Sequence, residues 1–593
     1  MKIKTLTLLI ICSFINIGVF AQFGGGSGTE QDPYRLYTSA DIYELADSLD
    51  LSNTFTGKYF RLMNNIEEPI NRLGVKTFDG SFNGGGHSIN IDIDVGSGCL
   101  FTTIGINGIL DSLKIVGNTN NFLALVCYND GIIRNCISDV KISHPNQSPC
   151  VHGICVINNE TALIESCVNL ANFENAYSQE LGRFDIDLMS GICYLNSGTI
   201  RKCINKGHCS VKIGEVAGIV NHSGGLVEMC INMGNLSSIS TIESESDSYP
   251  CGGIIALAFP DLIVRNCINT GDINFTNFRA NGGIVSDLDN YASNCLVENC
   301  FNSGKIHGYV GVDPEVSGGG IVGCYRSYVD EIYSQNNIVK NCLNISNNGG
   351  GNIIADTNMI STLSLSNNYY DKQMGLTKGF VSEDIIGIAE GKLTTQLIGT
   401  DPELQAMLGD GWSYAEGRYP IPLGLENDSI ALLAATPVYL PYTDQDDYNT
   451  IDSVTCHFLL GTENNVEWAS YSPQIINLEE TADGLKGVLQ TSGYANLIAS
   501  LGDFHKNIIL NIKSVCEPSY KNEEIQKTQA IAYPNPTKDV LYFNQASAYE
   551  IYDLQGKLIM KSKKPQNFVN TSKLKSGIYL IKIGGEIMKF VVE

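Results

Sequence analysis

The sequence predicts an all-β protein: a right-handed parallel β-helix, or solenoid, followed by two smaller β-sandwiches. Three observations predict it. A phrase centred on cysteine recurs at Cys136, Cys167, Cys203, Cys230, Cys267, Cys300 and Cys342, at intervals of 31, 36, 27, 37, 33 and 42 residues. A second phrase stands upstream of six of them, at Gly153-Ile154, Gly191-Ile192, Gly218-Ile219, Gly253-Ile254, Gly283-Ile284 and Gly320-Ile321. Two fixed marks per unit identify an internal repeat. Third, glycine is abundant at 60 residues while charged residues are 17% of the chain, below the usual ~25%, which suits stacked strands more than helices.

The chain begins with Lys2 and Lys4 ahead of an apolar run from Leu6 to Phe20, and Val19-Phe20-Ala21 followed by Gln22 reads as a signal peptide, residues 1–21, cut between Ala21 and Gln22. No other stretch reaches the ~18 consecutive apolar residues that span a bilayer, so no transmembrane segment is expected in the mature chain. Residues 22–98 are expected to form the N-terminal cap and first coils. Ile42, Leu45, Ala46 and Leu49 stand at helical spacing and predict a short capping helix over 40–49.

Residues 99–370 hold the repeats. Two short apolar runs per unit, separated by Gly and Asn, read as strands that stack on the next unit, because one coil cannot bury its apolar face alone. The position two residues after each repeat glycine holds Cys155 and Cys193 but also Val220, Ile255, Val285 and Val322. A site that exchanges Cys with Val and Ile is an apolar slot in which the thiol acts as a small hydrophobe. By the same logic the column from Cys136 to Cys342 is the repeat core, while disulfides between adjacent coils stay open as an alternative favoured by export. Asn follows two residues after Cys in six of the seven phrases, Ser138 being the exception, and is expected at a coil corner in left-handed geometry with amide ladders to its neighbours. Gly207, Gly234, Gly271 and Gly304 fit a tight turn. Insertions at 235–250, 305–318 and 325–338 read as projecting loops.

Residues 371–425 are expected to cap the solenoid's open edge. Alternating strands return over 426–516, with Trp468 as a core residue, and 517–529 is a polar linker. From 530 to 593 short β-rich runs alternate with turns at Gln555-Gly556, Lys575-Ser576-Gly577 and Gly584-Gly585. Pro534 and Pro536 push Tyr533 and Asn535 into extended conformations, as at the entry to a strand.

Four motifs occur in order in this tail: Tyr533-Pro534-Asn535-Pro536, then Asp553 with Gly556-Lys557, then Gly577 with Tyr579, and finally Lys589-Phe590-Val591-Val592. The series resembles the type A C-terminal sorting domain of the type IX secretion system of Bacteroidetes. That resemblance implies the type IX machinery as partner, passage across the outer membrane from the periplasm, removal of the tail, and release or attachment at the cell surface. The repeats, with the lead-in Gly26-Ser27-Gly28-Thr29, Gly57-Lys58-Tyr59-Phe60-Arg61-Leu62 and Phe78-Asp79-Gly80-Ser81-Phe82-Asn83-Gly84-Gly85-Gly86-His87, resemble GLUG-type repeats of bacterial surface proteins, departing from the pattern where Gly84-Gly85-Gly86 is all glycine. Residues 426–516 resemble a bacterial Ig-like spacer.

Chemistry is sparse. Cys150, His152 and Cys155, with His144 nearby, form the one cluster resembling metal ligands, yet Cys155 belongs to the apolar column and alternation points it away, so no metal or cofactor is expected. Cys456 and Cys516 flank the Ig-like segment and are candidates to staple it. Asp92 with Asp94 and Asp185 with Asp187 share strand faces, the spacing a glycosidase needs, but neither pair has a basic partner in a recognisable motif. No serine-nucleophile motif or phosphate-binding glycine loop stands in the right context. Removing the signal moves the net charge from −25 to −27, and a surface of that sign repels nucleic acid and anionic lipid. The reading is an exported β-helix protein of adhesion or of glycan or cell-surface recognition. Its alternatives are a β-helix polysaccharide lyase or hydrolase and a structural surface-layer component.

Overall fold

The computed structural model describes residues 23–592 apart from 72–75, 93–97, 120–121, 143–149, 175–186, 212–213, 239–248, 276–280, 289–291, 308–317, 324–335, 347–352, 356–362, 375–383, 440–449, 452–456, 463–464, 513–531, 534–536, 555 and 584–585. The signal peptide with Ala21 and Gln22, the motif residues Pro534, Asn535 and Pro536, the cysteines Cys456 and Cys516, His144, and most of the three insertions lie outside the described residues. The chain divides into two compact units, one of residues 1–263 and 274–277, the other of residues 264–273 and 278–593.

In the first unit a helix, Ser39–Asp50, opens the stack. Thr38 caps it, accepting from Asp41 N while the Asp41 carboxylate accepts from Thr38 N at 2.9 Å, a reciprocal pair that satisfies two otherwise orphaned donors. Ile42, Leu45, Ala46 and Leu49 are buried, and Tyr43 donates to Pro69 O at 3.3 Å beside the strand Ile66–Ile70. The helix thereby shields apolar side chains at the first coils.

Each coil then contributes one short strand to each of three long parallel sheets. In the first sheet Tyr59–Leu62, Ser81–Asn83, Ile109–Asp111, Ile132–Arg134, Leu163–Glu165, Thr199–Arg201 and Leu226–Glu228 pair in unbroken parallel register. Middle residues point inward, giving the column Phe60, Phe82, Leu110, Ile133, Ile164, Ile200 and Val227, all essentially inaccessible. Burial of each such side chain is worth about 1.5–3 kcal/mol, realised when the next coil closes over it.

The turn out of this sheet is where the cysteine phrase acts. Ser112, Asn135, Ser166, Lys202 and Met229 take φ of 53–55°, and the next residue, Leu113, Cys136, Cys167, Cys203 or Cys230, is fully buried. The expected left-handed residue was the Asn two positions after Cys; it is the residue before Cys instead. Lys and Met pay about 1–2 kcal/mol there. Each thiol also donates to the carbonyl two residues earlier, Cys167 to Glu165 O at 3.4 Å and Cys203 to Arg201 O at 3.4 Å, capping that carbonyl at the turn.

The Asn after each Cys builds an inner ladder instead: Asn169 Nδ2 donates to Asn205 Oδ1 at 2.9 Å, and Asn205 Nδ2 to Asn232 Oδ1 at 2.8 Å. Gly207 serves close approach rather than left-handed geometry, for a Cβ there would stand 1.8 Å from Ala171 O. Cys136, Cys155, Cys167, Cys193, Cys203 and Cys230 are free thiols, while Cys99 and Cys127 form a disulfide with Cα atoms 5.7 Å apart. That pair was not singled out by spacing.

The second unit repeats the coil. Leu296–Glu298, Asn337–Lys340 and Leu363–Ser366 pair in parallel, as do Ile268–Asn269, Phe301–Asn302, Leu343–Asn344, Asn368–Asp371 and Ala389–Lys392. Asn266, Asn299 and Asn341 are left-handed, Cys267, Cys300 and Cys342 buried free thiols, and Asn269, Asn302 and Asn344 an amide ladder at 2.8 Å per step. Residues 411–423 run along this turn: Trp412 Nε1 donates to Asn341 O at 3.1 Å, and Asn266 Nδ2 to Leu423 O at 3.1 Å.

Two four-stranded sheets follow. One holds Val438–Tyr439, His457–Leu460, Gly484–Leu489 and Ile476–Thr481, the other Thr450–Ile451, Phe504–Ile512, Gly493–Leu501 and Glu467–Ser470. They enclose Phe458, Ile476, Leu497 and Leu510, with Trp468 half-buried at the margin and its Nε1 donating to Gly461 O at 2.6 Å. Finally, Ala532–Tyr533, Val540–Asp553, Leu558–Asn570, Gly577–Ile583 and Glu586–Val592 form an antiparallel domain around Leu541, Ile551, Ile581 and Phe590.

Candidate ligand-binding face of the solenoid

Four successive coils of the first unit place one ring each in a continuous line. His152 ends the strand Cys150–His152, Tyr194 lies in Cys193–Asn196, His222 in Val220–Ser223, and Phe259 directly follows Ile255–Ala258. Ring centroids are 5.4 Å apart for His152 and Tyr194, 4.9 Å for Tyr194 and His222, and 5.3 Å for His222 and Phe259. These spacings follow from the ~4.8 Å rise of stacked strands. Cys193 and Val220 are buried, whereas Tyr194, His222 and Phe259 keep part of their surface in solvent.

Polar groups border the rings. Glu215 Oε2 stands 2.5 Å from His222 Nε2, which places the imidazole proton on that nitrogen. Cys150, half-buried, lies near Asp187 and Glu215; burial first, then those two carboxylates, raise its thiol pKa, so it stays protonated rather than nucleophilic. Burial and the same Glu215 raise the Tyr194 phenol. His152 Nδ1 contacts Ser190 Oγ at 2.8 Å, and Ser190 Oγ donates to Cys193 O at 2.7 Å. With the serine proton so committed, His152 donates from Nδ1 and its Nε2 is a bare acceptor, buried without a partner among the described residues. Burial, with a smaller contribution from His222, depresses the His152 pKa to about 3.

The sequence-based candidates distribute as follows. Cys150 borders this face and His152 is buried beneath its end, while Cys155 points into the core, stacked on Cys193 in register. Among the described residues no group of three or more His, Cys, Asp or Glu has the geometry to hold a metal. Asp94 and Asp185 lie outside the described residues. Sequence reasoning missed Tyr194, His222 and Phe259, because their positions relative to the repeat glycines differ and only the stacking aligns them.

In the tail, Gly556 takes φ of 80°, and Asp553 Oδ1 accepts from Lys557 N at 2.8 Å while Asp553 N donates to Lys557 O at 3.0 Å. The Asp553, Gly556 and Lys557 motif is thus a turn. Gly577 opens a strand, and Tyr579 in it packs on Phe590 at 5.7 Å and donates to Lys575 O at 2.8 Å. Residues 531–593 match the family model of the secretion system C-terminal sorting domain. The chain therefore carries the tail of a type IX secretion cargo, bound for secretion or the cell surface. No curated protein matches the chain. No helix among the described residues is long and apolar enough to cross a membrane.

Proposed function

We propose that the protein is a recognition module of the cell surface whose solenoid binds glycan along the line of Tyr194, His222 and Phe259, with His152 buried at the end of that line. The ring ladder carries this reading. Aromatic faces take up the C–H faces of sugars while neighbouring carboxylates accept from hydroxyls, and Glu215 supplies such an acceptor beside the three part-exposed rings. The GLUG-like repeats act as scaffold, the Ig-like segment 426–516 as spacer, and residues 1–21 as the export signal. A glycan array with the mature chain tests the proposal: Tyr194→Ala or Phe259→Ala is expected to lower affinity at least tenfold for whichever glycans bind. Unchanged binding by both variants excludes this face.

A second reading, a glycan-cleaving enzyme, has one observation in its favour: the acids Asp187 and Glu215 border the same rings. Product release from a bound polysaccharide that Glu215→Gln abolishes would replace recognition with catalysis.

A further inference from the structure

Outward residues of the first sheet form a charge column. In register along it stand Arg35, Arg61, Asn83, Asp111, Arg134, Glu165, Arg201 and Glu228. From Asp111 onward the signs alternate, with Arg134 to Asp111 and Arg201 to Glu165 both at 2.8 Å. The order fails at the start. Arg35 and Arg61 are direct register partners, and like charges opposite each other on neighbouring strands destabilise the pair. Arg35 is answered by Asp32 at 2.7 Å. Arg61 has Arg35 on one side and the neutral Asn83 on the other, and forms no ion pair with a described carboxylate.

Beside this pair lies a depression of about 280 Å³ walled by Asp32, Pro33, Arg35, Arg61, Met63 and His87. Gly85 and Gly86 take φ of 60° and 78°, and the Arg61 Nε lies 3.9 Å from where a Cβ on Gly85 would sit. The left-handed turn that favours glycine thus stands in van der Waals reach of the Arg61 guanidinium at the rim. In a chain of net charge −25, two guanidiniums against the single carboxylate of Asp32 around one hollow are a local reversal of sign.

We infer that this hollow binds an oxyanion, a carboxylate or sulfate group carried on a sugar, with Arg61 as its principal ligand and Arg35 and His87 beside it. The planar fork of Arg61 engages two oxygens of such a group at once. An anion there supplies Arg61 with the counter-charge that Asp32 already gives Arg35. The volume admits about one sugar ring, with Pro33 and Met63 as its apolar wall. The site stands on different residues from the aromatic face and does not depend on it.

Calorimetry on the mature chain with three probes tests this: tetragalacturonate, a sulfated galactose disaccharide, and uncharged galactotetraose. Binding of the first alone assigns a carboxylate, of the second alone a sulfate ester, and in either case the uncharged probe binds at least tenfold more weakly. Arg61→Gln is expected to lower affinity for the acidic probe at least tenfold and Arg61→Lys by less. Arg61→Glu, which sets an acid opposite Arg35 in place of a like charge, should abolish binding while raising the melting temperature, so loss of binding is separated from loss of fold. The inference is overturned if no acidic probe binds, if the uncharged probe binds equally, if Arg61→Gln stays within twofold of wild type, or if Arg61→Glu lowers the melting temperature.

Discussion

His152 shows how burial at one residue makes the whole fold sensitive to acid. Its imidazole is inaccessible and held neutral, with a pKa of about 3 against ~6.5 in an unfolded chain. A histidine whose folded pKa is depressed contributes fully above the unfolded value, and that contribution falls as pH drops from 6.5 toward 3, where only the unfolded chain takes up the proton. Between pH 7 and pH 5 the loss is about 2 kcal/mol. Urea titrations at the two pH values are expected to show this difference in wild type and not in His152→Gln. Equal acid sensitivity in both would refute the assignment of the buried neutral ring.

At the scale of elements, the Asn ladder holds successive coils in one register. Asn205 accepts from Asn169 and donates both to Asn232 and to Gly207 O at 2.9 Å, with no exposure. Asn205→Ala leaves a buried donor on one side and acceptors on the other, and is expected to cost about 3 kcal/mol in urea denaturation. Cys203→Val removes only a weak thiol donor from a slot that Leu113 also occupies, and should cost about 1 kcal/mol or less. The repeat was legible because both the cysteine and the asparagine recur in fixed phrases. Which residue turns left-handed was not legible: Lys202 and Met229 have no preference for that geometry and adopt it because the coil closes around them. Nor was the aromatic line, since Tyr194 and His222 occupy successive positions after their repeat glycines and meet only through inter-coil packing. Trp468, expected in the core, packs against it half-buried, with its indole N–H donating to Gly461 O.

Over the whole molecule, charge is distributed unevenly. Residues 531–593 carry nine lysines against five acids, whereas the chain as a whole is at −25. The sorting tail thus presents a cationic module on an acidic cargo, a contrast that suits recognition of the module regardless of what precedes it. Deleting 531–593 is expected to leave the protein in the periplasm, measured by cell fractionation and surface protease accessibility, and delivery of the truncated chain to the surface would remove the routing role. The stacked parallel sheets and the antiparallel sorting domain were readable from motif content and strand periodicity. The line of rings and the charged column were not, because they arise from packing across coils rather than from neighbours in sequence.

The alternating column from Asp111 to Glu228 also imposes a parity rule on how such a protein can lengthen or shorten. Excising residues 166–201, one coil, would bring Glu165 against Glu228, acid on acid; excising 135–201, two coils, would leave Arg134 beside Glu228, opposite signs preserved. Odd changes in coil number break the sequence of signs and even ones keep it. Recombination within this gene would therefore be expected to add or lose coils in pairs.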